Sequence, residues 1–146
     1  MNKKLPVQFH FLVSCTLTNR GSLKNFILSI FKKEKRSLEN INIIFCDDKY
    51  LLDLNRRFLQ HDFYTDILSF PLSEVNKPLV GEIYISVERV RENARSLNST
   101  LNDELHRVIF HGVLHFCGYH DKSGSEIRVM RKKEEYYLLA YHKALG

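Results

Sequence analysis

A chain of 146 residues, 44% hydrophobic and 27% charged, has the size and balance of one soluble domain that folds around its own core, so we expect a single domain over 1–146. No apolar run reaches the ~20 residues of a membrane helix, and Met1 to Pro6 carries a basic pair without a signal-peptide core, so neither a membrane partner nor a leader is expected. The net charge of +5 (sequence pI ≈ 9.1) suits a nucleic-acid partner without demanding one, and three cysteines with no C-x-x-C fit the reduced, buried thiols of a cytoplasmic protein.

The predicted elements follow in order. Val7 to Val13 alternates and then turns apolar, as a strand does. Gly21 to Lys35 places Leu23, Phe26, Ile27, Ile30 and Phe31 at helical spacing, with a solvated basic end at Lys32, Lys33, Lys35 and Arg36. Ile41 to Cys46 reads as a buried strand, and strand, helix, strand in series predicts a right-handed parallel crossover. Asp47 or Asp48 caps a helix whose apolar face is Tyr50, Leu51, Leu54 and Phe58. Ile67 to Phe70 and Leu79 to Ser86 flank a polar loop and read as an antiparallel pair. Val87 to Leu97 is a helix with Val87, Val90, Ala94 and Leu97 on one face. Thr100 and Asp103 then give a capping signal for a helix that Leu101, Leu105, Val108, Ile109, Leu114 and Phe116 make central. The last helix, Glu126 to Leu145, turns Ile127, Met130, Tyr137, Leu138 and Tyr141 inward. Its Arg128, Arg131, Lys132 and Lys133, set against Glu134 and Glu135, read as solvated surface, with a part in RNA docking as the alternative.

The central helix carries the chemistry. His111 and His115 are four apart and therefore share one face, one turn from each other. Gly118 suits the left-handed residue that ends a helix, and His120 and Asp121 arrive just past the turn. Two imidazoles and one further donor leave a coordination position open, the layout of a catalytic zinc rather than a structural one. Cys117 falls on another side of the helix and is not expected to bind.

The run His111-Gly112-Val113-Leu114-His115-Phe116-Cys117-Gly118-Tyr119 resembles the motif H-G-x-L-H-x-x-G-Y-D-H of the YbeY family, bacterial metal-dependent endoribonucleases of ribosomal RNA maturation. Here the last two residues are reversed, so Asp121 holds the place of the third ligand while His120 holds its residue type. Adjacent residues of an extended segment point apart, so one of the two coordinates. Asp121 is the expected ligand, with His120 as the alternative.

A second stretch, Leu54-Asn55 through Asp62 to Thr65-Asp66-Ile67-Leu68-Ser69-Phe70-Pro71, is similar to the family pattern L-N-x-x-[FY]-R-x-x-D-x-x-T-D-V-L-S-F-P. Leu59 stands where the family has a cleft arginine, and Arg56 and Arg57 are the nearest substitutes, although Arg57 and position 59 lie ~200° apart on a helix. Gly81-Glu82-Ile83 matches a family G-D-I.

The resemblance implies a zinc-dependent, single-strand-specific endoribonuclease that processes ribosomal RNA precursors, matures the 16S 3′ end and works with the small ribosomal subunit in the cytoplasm. No DNA partner is expected. Its site residues would be His111, His115 and Asp121 on one Zn2+, with Arg56 or Arg57 as the cation. The alternative is a non-catalytic, RNA-binding assembly factor with a structural metal, a reading to which the missing arginine lends weight.

A zinc-activated water is a nucleophile at neutral pH. Zinc peptidases place a glutamate directly after the first histidine as general base, and here Gly112 occupies that position, which disfavours peptide hydrolysis. Phosphodiester cleavage is left, with water or the RNA 2′-hydroxyl as nucleophile. The fold expected is α+β: a small mixed sheet, mostly parallel with one antiparallel hairpin strand, helices packed on it, and a zincin-like metal helix.

Overall fold

The computed structural model describes residues 4–146; Met1 to Lys3, part of the start read above as lacking a leader, lie outside the described residues. The elements run β1 (Val7–Phe11), α1 (Arg20–Lys33), β2 (Leu38–Cys46), α2 (Asp48–Leu59), β3 (Ile67–Pro71), β4 (Leu79–Ser86), α3 (Val87–Ser96), α4 (Leu101–Phe116) and α5 (Gly124–Leu145). The strands form one sheet in the order β1-β2-β4-β3. β1 runs parallel to β2 and β2 to β4, while β3 pairs antiparallel to β4, with Ile67 opposite Ile85 and Ser69 opposite Ile83. The mixed, mostly parallel α+β sheet expected from the sequence is therefore the one observed.

Strand alternation decides the layers, because successive side chains point to opposite faces. Ile41, Ile43 and Phe45 of β2 and Leu79, Ile83 and Ile85 of β4 point to one face. There they meet Leu23, Ile27, Ile30 and Phe31 of α1, Leu105, Val108, Ile109 and Val113 of α4, and Met130, Tyr137 and Tyr141 of α5. The opposite face carries a smaller cluster of Cys46, Leu51 and Leu68, with Leu54, Phe70 and Tyr84 partly buried against it.

Three expectations need correction. On α2 the buried residues are Leu51, Leu52 and Asn55, while Tyr50 and Phe58 are exposed. The small cluster covers only part of the second face, so those rings lie on its rim, Tyr50 stacked on Tyr84 and Phe58 edge-on to Phe70. On α5, Ile127 is exposed, one turn before the helix reaches the core at Met130. Glu134, read as solvated, is only 1% exposed. It lies on the stripe of Met130, Tyr137, Leu138 and Tyr141, the face that packs on α4.

Candidate metal centre

α4 is capped at both ends by the residues the sequence offers. The Thr100 hydroxyl accepts from the Asp103 amide at 3.1 Å and opens the helix. At the other end Gly118 takes φ +102°, and the Tyr119 amide donates to Leu114 O and the Gly118 amide to His115 O, both at 3.1 Å. That pair of bonds is a Schellman turn, which reverses the chain within three residues. Tyr119 then anchors the turn: its hydroxyl donates to Glu34 at 2.7 Å, and Tyr137 and Lys133 donate to the same carboxylate. Burial works against ionising Glu34, but bonds from Tyr137 and Tyr119 and the charge of Lys133 outweigh it and hold its pKa below the usual range.

Gly112 sets how close α4 comes to the sheet. A Cβ there would sit 2.8 Å from the Cδ1 atoms of both Ile67 and Ile83, closer than side chains tolerate. The absence of a side chain between the two histidines thus serves docking of the helix on β3 and β4, besides removing the peptidase base.

His111 and His115 then stand edge to face, ring centroids 4.6 Å apart, on the side of α4 that the turn crosses. Asp121 Oδ2 lies 3.3 Å from His111 Nε2 and 3.4 Å from His115 Nε2. Two donors about 2.0–2.1 Å from a tetrahedral zinc lie about 3.3 Å from each other, so these separations are edges of a coordination tetrahedron. The set is two nitrogens and one carboxylate oxygen, donor chemistry that suits a borderline divalent cation.

The far side of His111 is also fixed. Its Nδ1–H donates to Glu134 Oε2 at 2.7 Å, which leaves the Nε2 lone pair facing Asp121. Arg131 donates to Glu134 Oε1 at 3.2 Å, and Arg107 pairs with Glu104 at 3.1 Å and lies 4.0 Å from Glu134. Burial lowers the His111 pKa, but the bond to Glu134, its charge and that of Asp121 raise it overall. Burial and the neighbouring His111 lower that of His115, with Asp121 opposing. Of the two imidazoles, His111 therefore holds a proton more strongly.

A cleft of about 370 Å³ opens beside the triad; Asp66, Asn93, Glu104, Arg107, Arg131 and Glu134 line it with His111 and Asp121. Asp66, from the Thr65-Asp66 pair, accepts from Asn93 at 3.2 Å, which ties the start of β3 to α3.

The structure brings together His111, His115 and Asp121. His120 is exposed and lines instead a separate shallow depression with Ser125, Glu126 and Val129. Arg56 pairs with Asp62, and Arg57 lies 3.4 Å from Asp53; neither they nor Leu59 line the cleft, where the arginines are Arg107 and Arg131. Sequence reasoning missed Glu104 and Arg107, and it placed Glu134 and Arg131 on a solvated face rather than at the cleft. The signal for Glu134 was present: an acid on the apolar stripe of α5, where a charge persists only with partners.

Fold and site together define an α+β protein with a two-histidine, one-carboxylate centre on its central helix. Comparison with known proteins places it further. The family model described as Endoribonuclease YbeY matches residues 15–142. An Endoribonuclease YbeY of Cytophaga hutchinsonii is 50% identical over 119 residues, covering 82% of this chain and 83% of the relative. One of Flavobacterium psychrophilum is 43% identical over 136 residues, covering 93% and 96%. The solution structure of TM1509 from Thermotoga maritima superposes with a TM-score of 0.64 at 30% identity, over 94% of this chain and 91% of that one. The chain belongs to the YbeY endoribonuclease family, hydrolases that cut RNA phosphodiester bonds.

Proposed function

We propose that the protein is a zinc-dependent, single-strand-specific endoribonuclease of the cytoplasm. Its substrate is precursor ribosomal RNA on the small subunit, cut in maturation of the 16S 3′ end, and His111, His115 and Asp121 are the metal ligands. The observation that carries this reading is the convergence of two Nε2 atoms on one Asp121 oxygen at 3.3 and 3.4 Å, backed by the Glu134 bond behind His111. When bound, the ion would supply Lewis acidity and positive charge at the scissile phosphate.

The chain's own residues do the rest. Glu134 orients His111 and is held in turn by Arg131. Arg131 and Arg107 place guanidinium groups at the cleft, where a phosphate can take bidentate bonds. Arg56 and Arg57, exposed at the end of α2, bind the RNA backbone beyond the cleft. A cleft of this size admits one unstacked nucleotide, which single strands present and duplexes do not.

The test is cleavage of single-stranded and duplex RNA by zinc-loaded protein, with His115→Ala purified in parallel. Equal cleavage by both proteins would overturn the enzymatic reading. Zinc content of Asp121→Ala and His120→Ala checks the ligand set: metal lost only from the His120 variant would overturn it. Leu59, in place of the family arginine, favours a second reading, an assembly factor with a structural metal. Small-subunit binding without any RNA cleavage, unchanged in His115→Ala, would establish that one.

A further inference from the structure

α4 and α5 lie side by side, and a second group of side chains that could hold a metal sits on the same pair, about 7.5 to 12 Å along α4 from His111. Asp103 and His106 are one turn apart near the start of α4, and His142 comes from the last turn of α5. One donor atom from each lies within 4.8 Å of the others. His142 Nε2 is 3.1 Å from Asp103 Oδ1, near the edge length of a zinc tetrahedron.

His106 is the telling member. It is 1% exposed, yet neither ring nitrogen has a hydrogen-bond partner among the described residues. Its ring is wedged against Phe110 and, edge-on at 4.9 Å, against Tyr141, so packing fixes it in place. Buried polar groups are ordinarily paired, and an orphan of this kind calls for an unseen partner. Burial, partly opposed by Asp103, pushes the His106 pKa down to about 4, so its lone pair is free at neutral pH. Asp103 is half-buried and His142 exposed, which gives an ion a path in from solvent.

We propose that Asp103, His106 and His142 form a second transition-metal site, separate from the triad, that takes Zn2+ or a similar borderline cation and clasps the start of α4 to the end of α5. Two nitrogens with a single carboxylate favour zinc, nickel or copper over magnesium or calcium. The site does not depend on the proposed nuclease activity.

The experiment counts zinc in chelator-stripped protein by calorimetric titration with Zn2+. Wild type should bind two equivalents, His142→Ala and Asp103→Asn one each, with their RNA cleavage unchanged. His115→Ala should keep an equivalent that disappears in the His115→Ala/His142→Ala double variant. In the His115→Ala background, that equivalent should shift the imidazole nitrogen resonances of His106. A single wild-type equivalent that is lost in His115→Ala, two in His142→Ala, or an unmoved His106 signal would overturn the second site. Loss of cleavage in His115→Ala bears only on the first.

Discussion

Glu134→Gln removes one charge from the interior while keeping the side chain's shape. In the native protein this carboxylate is 1% exposed, accepts from His111 Nδ1 at 2.7 Å and from Arg131 at 3.2 Å, and is the main cause of the raised His111 pKa. It fixes the tautomer that leaves the Nε2 lone pair facing Asp121, where the proposed ion would be held, and makes that nitrogen more basic. Losing such an outer partner costs about 10–100-fold in metal affinity, or about 1.4–2.7 kcal/mol. The same carboxylate also strengthens the competing proton. A raised pKa means that wild-type His111 must shed a proton to bind metal at lower pH, and the variant's His111 has less to shed. The affinity gap should therefore be widest near about pH 8 and narrow toward about pH 6. Competition against a chromophoric chelator at both pH values measures it, with the melting temperature of the stripped proteins as the folding control. Affinities within about twofold of each other near pH 8 would refute the claim that Glu134 tunes the metal centre.

Gly118→Ala meets no steric neighbour, so its cost is the left-handed backbone alone, about 1–2 kcal/mol by urea denaturation, with weaker zinc binding because the turn delivers Asp121. An unchanged midpoint would count against the turn as the positioning device. Gly112→Glu restores the zinc-peptidase spacing but drives a carboxylate between Ile67 and Ile83; loss of soluble folded protein is expected, and a folded variant with peptidase activity would contradict the packing account. His106, with its pKa depressed to about 4, contributes stability that is present above the unfolded value near 6.5 and lost as pH falls from there toward about 4. That loss is up to about 3 kcal/mol in stripped protein. His106→Leu should flatten the pH dependence of the urea midpoint over that window, and an identical acid loss in the variant would show that other groups are responsible.

Much of the fold was legible because its signals are local. β4 was found at its observed bounds, since Leu79, Ile83 and Ile85 alternate with polar or half-buried neighbours between clear breaks. The end of α4 could be read from Gly118, because only the backbone has to tolerate φ +102°. Tyr50 and Phe58 were misplaced because apolar spacing says which residues share a helix face and nothing about how much sheet lies opposite. Glu134 was misplaced for the converse reason. Charge argues for solvent until a partner is known, and its partners His111 and Arg107 sit on another helix, 23 and 27 positions away.

By itself the sequence determined the family, the order of elements, and the two histidines that must share a helix face. Each follows from spacing along one chain segment, where 3.6 residues per turn and one flexible glycine are enough. Only the tertiary structure set Asp121, rather than His120, beside the two histidines, lined the cleft with Arg107 and Arg131 and not with Arg56 or Arg57, and set Asp103 and His106 beside His142. Those outcomes depend on where separate elements meet. Side-chain direction past a turn, and contact across two packed helices, are fixed by the core that holds the elements together rather than by any local run of residues.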